Sequence, residues 1–147
     1  PAHPRLVDRK IAAGTRNMVN GPAMSRDQAM AAIEVGAALV EAERREGLDL
    51  IGTGEMGIGN TTAASAVVAA LTGFRAEAVT GEGTGVDQEG RGRKVAAIER
   101  ALAVNRPDAR DGIDVLAKVG GFEIAGLCGV ILAAAAWHAL TTTEESR

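Results

Sequence analysis

Small apolar residues recur along this chain with two different periods, and the changes of period mark out its elements. Ala29, Ala32, Ile33, Gly36, Ala37 and Val40 are spaced three and four apart, as on one face of an α-helix. Ser25 with Gln28 three residues on forms a capping box at the start of that stretch, and Gly47 supplies a stop. A helix is therefore predicted from Ser25 to about Glu46. The short apolar run from Leu48 to Thr53 reads as a buried strand. The Ala/Val-rich stretch 60–72 reads as a helix ended by Gly73. Ala76 to Thr80 reads as a second strand. A further helix is predicted from Asp87 or Gln88 to about Asn105, carrying Val95, Ile98, Leu102 and Val104, and Pro107 breaks it. Asp111 caps a short helix through Val119, Gly120-Gly121 turns the chain, and a long apolar helix is predicted from Phe122 to Leu140. Pro4, Gly14, Gly21 and Pro22 leave 1–24 an irregular lead-in, and 140–147 reads as a polar tail.

Strand, helix, strand, helix in alternation predicts an α/β domain with parallel strands flanked by helices. It is helix-rich, and with only two strands in view its sheet is expected to be incomplete. All 147 residues are read as a single domain. The run Ile124 to Trp137 is shorter than the roughly 18–20 apolar residues of a membrane span. It reads as a helix buried in a core or at a subunit interface, with Gly126 and Gly129 allowing close approach of a neighbour.

Composition narrows the function. A net charge of -3 argues against nucleic acid, whose phosphates demand clustered Lys and Arg. Aromatic platforms for single strands are missing too, with only Phe74, Phe122 and Trp137 present. The lone Cys128 leaves no disulfide framework and reads as a small buried hydrophobe. His3 and His138 are far apart in sequence, so no metal set or Ser-His-Asp set is expected, and no cofactor is called for. Pro1 to Lys10 is polar and contains proline, unlike a secretory leader, so a cytoplasmic location is expected.

The chemistry concentrates in Gly54-Glu55-Met56-Gly57-Ile58-Gly59-Asn60-Thr61-Thr62, between the first strand and the following helix. Glycines admit a ligand close to backbone N–H groups, and the start of a helix adds the positive end of its dipole. An anion such as phosphate is expected at residues 57–62: Gly57, Gly59 and Asn60, with hydroxyls from Thr61 and Thr62. No Gly-Lys-Ser/Thr follows, so the loop is not a P-loop, and Thr62 occupies the third glycine position of a dinucleotide fingerprint. Glu55, at the carboxyl end of the strand, suits ribose hydroxyls; its plainer reading is an exposed turn residue. Gly83 and Gly85 form a second glycine-rich segment with further amides to offer. Gly121 lets backbone approach a ligand at the next loop-to-helix junction, where Glu123 reads as a capping residue.

Four blocks together resemble the nicotinate-nucleotide:dimethylbenzimidazole phosphoribosyltransferase family, which makes the lower-ligand nucleotide of cobalamin. They are Lys10 to Asn17, Gly21 to Ala29, Gly54 to Thr62 and Asp114 to Glu123, in the family's order and at similar spacing. The likeness covers roughly residues 3–137. It implies transfer of phosphoribose from nicotinate mononucleotide to 5,6-dimethylbenzimidazole, giving α-ribazole 5′-phosphate and nicotinate. It also implies a homodimer and a lysine near the phosphate, which matches Lys94; the alternative for Lys94 is a solvated helix face beside Arg91 and Arg93. The family's catalytic base is a glutamate in its C-terminal part, and no position here matches it. The expectation is a shortened or central part of the enzyme. Two other readings stand beside it: a non-catalytic nucleotide-binding module, and a fragment that acts with a partner chain.

Overall fold

The structure, a computed structural model, describes residues 3, 6–81, 88–137 and 140–143. In chain order the elements are α1 (Arg26–Glu46), β1 (Leu50–Thr53), α2 (Thr61–Thr72), α3 (Ala76–Val79), α4 (Gln88–Asn105), α5 (Gly112–Val119), α6 (Phe122–Ala136) and β2 (Leu140–Thr143). The architecture is α/β and helix-rich, with two parallel strands in register Leu50↔Leu140 to Thr53↔Thr143. No helix among the described residues is long and apolar enough to cross a membrane.

Helix ends follow local chemistry. Ser25 Oγ accepts from the Gln28 N–H at 3.1 Å, and Gln28 Oε1 accepts from the Ser25 N–H at 3.0 Å, closing the capping box of α1. Gly47 ends α1 at φ 99°, a left-handed conformation that costs glycine nothing. Asp111 caps α5 by accepting from the N–H groups of Ile113 and Asp114. Its carboxylate also takes the Arg26 guanidinium at 2.7 Å. Arg26 first, and then the Asp114 N–H, hold its pKa below the usual aspartate value.

Two cores form, and α5 divides them. Val115 and Val119 of α5 join Ala66 and Ala69 of α2, Ala76 of α3, and Ile98 and Ala101 of α4. Leu116 and Ala117 on its other side join Met24, Ala29 and Ala32 of the lead-in and α1, and Ala125 of α6. Small side chains let backbones come close. A Cβ on Gly36 of α1 would collide with the carbonyl of Gly126 on α6, and one on Gly129 would meet the carbonyl of Ile33. The glycines expected to admit a neighbouring helix therefore admit α1 of the same chain. Gly36→Ala should gain up to about 1 kcal/mol in helix propensity. The clash is with backbone that cannot rotate away, and overpacking of this kind costs about 1–3 kcal/mol. The expected outcome is a lower melting temperature by thermal denaturation.

Three sequence expectations are corrected. The strand placed at Ala76–Thr80 is a single helical turn, α3. Ala-Glu-Ala-Val is too short for periodicity to decide, and long-range bonds decide it. Thr80 Oγ1 donates back to Ala76 O at 2.6 Å, while Arg91 of α4 donates to Thr80 O and Glu77 O, each at 2.9 Å. Those carbonyls are thereby taken from any strand partner. The apolar helix ends at Ala136, not Leu140, and the first four residues of the expected polar tail form β2. The segment carries three consecutive threonines, a residue type enriched in strands. Finally, β1 spans Leu50–Thr53 and is not fully buried: Leu50 is 56 % exposed and only Thr53 is enclosed.

Candidate functional site

β1 delivers the chain into the glycine loop at Thr53, and α2 takes it out at Thr61. In between, Gly57 (φ 71°) and Gly59 (φ 83°) adopt left-handed conformations. Such angles are uncommon for any residue with a Cβ, and they fold the loop back on itself. Glu55 Oε2 accepts from the Gly57 N–H at 2.5 Å, so that amide is already engaged. A cleft of about 450 Å³ opens beside the loop, walled by Gly54, Glu55, Met56, Ile58, Gly59, Asn60 and Ala63 on one side of the sequence. Thr15, Gly120, Gly121 and Glu123 complete it from the lead-in and the α5–α6 turn.

The start of α2 is unusual. Asn60 stands at the N-cap position, but its side chain makes no capping bond. It is 9 % exposed, and its Oδ1 is buried without a hydrogen-bond partner among the described residues. An unsatisfied buried acceptor costs about 1–3 kcal/mol. The first turn of α2 thus carries N–H groups uncapped by a side chain, next to an oxygen that lacks a donor. Anions are favoured at the former by the helix dipole, and a hydroxyl or N–H suits the latter. Lys94 of α4 reaches this turn, its Nζ donating to Thr61 Oγ1 at 3.2 Å. A cation is therefore held beside the helix start.

Most residues expected from sequence converge here. Glu55, Gly59, Asn60 and Gly121 line the cleft. Gly57 shapes the loop without walling the cleft, while Thr61 and Thr62 lie half-buried in the first turn of α2. Lys94 stands behind Thr61, bonded to it rather than pointing to a purely solvated face. Gly83 and Gly85 lie outside the described residues. Glu123, read as a capping residue, stands in the first turn of α6, whose N-cap is Gly121. The Glu123 carboxylate folds over Gly121, occupying the space a Cβ would need. Two carboxylates, Glu55 and Glu123, therefore line one cleft.

Sequence reasoning gave no site role to Thr15 and Ala63, which also wall the cleft. The signal for Thr15 was its place in the block Lys10–Asn17. Met56 and Ile58 are each 77 % exposed, so the loop presents apolar side chains beside its amides. A second hollow of about 560 Å³ lies between the two helical layers, lined by Ile33, Val67, Leu71, Leu116, Ile124 and Cys128 among others. Burial pushes the Cys128 thiol pKa up, which keeps it protonated and poor as a nucleophile. The residues expected from sequence to bind a ligand gather at the glycine-loop cleft instead.

Comparison with known proteins gives the family. A family model described as Phosphoribosyltransferase matches residues 1–141. The nicotinate-nucleotide–dimethylbenzimidazole phosphoribosyltransferase of Chloroflexus aggregans is 60 % identical over 136 residues, which are 92 % of this chain and 38 % of that protein. The enzyme of the same name from Geobacter sulfurreducens is 56 % identical over 133 residues, 90 % of this chain and 38 % of its own. The crystal structure of CobT from Thermus thermophilus superposes with a TM-score of 0.90 at 42 % identity, covering 98 % of this chain and 43 % of that one. The chain spans well under half the length of these relatives.

Proposed function

Since the chain belongs to the nicotinate-nucleotide:dimethylbenzimidazole phosphoribosyltransferase family, we propose that its glycine-loop cleft holds the phosphoribosyl group of nicotinate mononucleotide. The observation that carries this reading is the start of α2, which has no side-chain cap and has Lys94 beside it. A phosphate there accepts from backbone N–H groups of residues 59–62 and feels the ammonium of Lys94. The carboxylates of Glu55 and Glu123 would repel a phosphate and suit ribose hydroxyls. Apolar Met56 and Ile58 offer a surface for a planar base.

The reaction in which this site takes part is phosphoribosyl transfer from nicotinate to N1 of dimethylbenzimidazole. It asks for two things: alignment of the anomeric carbon, which is positioning, and removal of the imidazole proton, which is general-base work. The cleft supplies the first. Calorimetry with nicotinate mononucleotide, and separately with nicotinate, tests the assignment. The nucleotide should bind and nicotinate should not; equal weak binding of both would remove the phosphate site.

A second reading, a fragment completed by another chain, is favoured by the sheet. Parallel strands are ordinarily covered on both faces, and an isolated two-stranded sheet is marginal. Here β1 and β2 have no further strand among the described residues, and Leu50 is exposed. Co-expression with the remaining segments of a family enzyme, followed by nicotinate release, separates this from a stand-alone binding module. Self-association as a homodimer is also expected. The α6 helix turns Ala125, Gly129 and Ala134 inward but leaves Ile131 and Leu132 exposed, Leu132 by 64 %. Sedimentation at micromolar concentration should show a dimer that Leu132→Glu dissociates.

A further inference from the structure

We infer that Thr15 is a ligand-contacting residue of the cleft and that Asn105, at the end of α4, is the positioning residue that holds it there. The inference rests on the reading of the cleft as a nucleotide site. It begins with the two sequence blocks that the phosphate loop leaves unused, Lys10–Asn17 and Gly21–Ala29. In the fold they are the two arms of one loop. The Arg16 N–H donates to Ala23 O at 2.7 Å and closes its neck. At the tip, Asn17 Oδ1 accepts from the Val19 N–H at 3.2 Å, and the Asn20 N–H donates to Asn17 O at 3.1 Å.

Thr15 stands just outside the neck and lines the cleft together with Gly59, Asn60 and Gly121. The far arm is seated on the last turn of α5, where the N–H groups of Ala23 and Met24 donate to Lys118 O at 3.1 Å and Ala117 O at 2.9 Å. That turn leads directly into Gly120 and Gly121, which also wall the cleft. The loop is therefore referenced to the site at its base. Its tip is referenced to α4. Asn105 Nδ2 donates to Met18 O at 2.7 Å and to Ala101 O at 2.8 Å, and Arg100 Nε donates to Val19 O at 3.4 Å.

Asn105 is only 8 % exposed. A buried amide is a costly choice for helix packing unless it is paired, and here its donors are committed to the loop and its own helix. The same helix carries Lys94 to Thr61 at the start of α2. One helix thus sets two walls of the cleft relative to each other: the phosphate end through Lys94, and the Thr15 end through Asn105. Thr15 presents a hydroxyl, a donor and acceptor, to a sugar phosphate in between.

The test is calorimetric affinity for nicotinate mononucleotide, with circular dichroism confirming that each variant is folded. Thr15→Val and Asn105→Ser should each weaken binding by about threefold to tenfold, the effect of one ordinary hydrogen bond. Thr15→Ser, which keeps the hydroxyl, should bind as the unchanged chain does. The double variant should bind no more weakly than Thr15→Val alone, because Asn105 acts through Thr15. Arg100→Ala, on the exposed side of α4, should weaken binding in the same direction, and it decides the matter if Asn105→Ser does not fold. Lower melting temperature with unchanged affinity in the Asn105 and Arg100 variants, or penalties that multiply in the double variant, would overturn the inference alone. Absence of nucleotide binding by the unchanged chain would overturn the nucleotide reading and the inference with it.

Discussion

Purified chain given nicotinate mononucleotide and dimethylbenzimidazole is expected to release nicotinate at least about 10²–10⁴-fold more slowly than an enzyme with its general base in place. One ring nitrogen of the acceptor attacks with its lone pair, and the N–H on the other ring nitrogen must give up its proton. The glutamate that the family resemblance assigns to that task has no matched position among these 147 residues. The two carboxylates described in the cleft are otherwise placed. Glu55 accepts from the Gly57 N–H within its own loop, and Glu123 is folded over Gly121. Both are placed to accept from a ligand hydroxyl. The assay is nicotinate release together with α-ribazole phosphate formation. Turnover on the order of 1 s⁻¹ or more would mean that a carboxylate of this chain serves as base, and Glu55→Gln and Glu123→Gln would then identify it.

Gly59→Val is expected to abolish nucleotide binding while leaving the helices intact. A Cβ at Gly59 meets no atom within 4 Å, so space is not the obstacle in the empty cleft. The obstacle is φ +83°, where a β-branched residue is strained. Holding a side chain in such a region costs of the order of 1–3 kcal/mol. The loop escapes that cost by rotating, and its escape turns the amides of residues 59 and 60 away from the phosphate. A valine side chain would also fill the ligand's place. Gly73→Val is the control. Gly73 has φ +72° and equally open surroundings, but it ends α2 at the far side from the cleft. It should lower the melting temperature and leave calorimetric affinity unchanged. Loss of binding in both variants would assign the effect to general strain instead of to the site.

Elements whose ends are written in local chemistry were legible from the sequence. Ser25 with Gln28, Gly47, Gly73 and Asp111 each bound a helix where expected. The glycine loop and its passage into α2 were legible for the same reason, since left-handed turns require glycine. What was not legible depends on partners distant in sequence. The turn Ala76–Val79 is held by Arg91, which belongs to another element and donates to Glu77 O within it and to Thr80 O just after it. Leu140-Thr141-Thr142-Thr143 looks like a polar end until β1 is brought beside it. Within the site, Thr15 reaches the cleft only because its loop is seated on α5 and pinned by α4, which no window of neighbouring residues contains. The unpartnered oxygen of Asn60 is likewise a property of packing. From sequence Asn60 was expected as an anion-site residue; its failure to cap its own helix was not visible there.

The pairing of β1 with β2 also has a consequence for how the molecule assembles. The first core joins α2, α3, α4 and α5, which follow one another along the chain, so its contacts close short loops. Register between β1 and β2, and the interlocked glycines of α1 and α6, join the first third of the chain to its end. Loop-closure entropy grows with the length enclosed, and such distant contacts are the slow ones. Refolding from denaturant should therefore show α2–α5 protected from hydrogen exchange before Leu50–Thr53. The glycine loop hangs between these two regions, anchored early at Thr61 and late at Thr53. Ligand affinity is then acquired last, with the closing of the strands, and the time course of nucleotide binding reports on that final step.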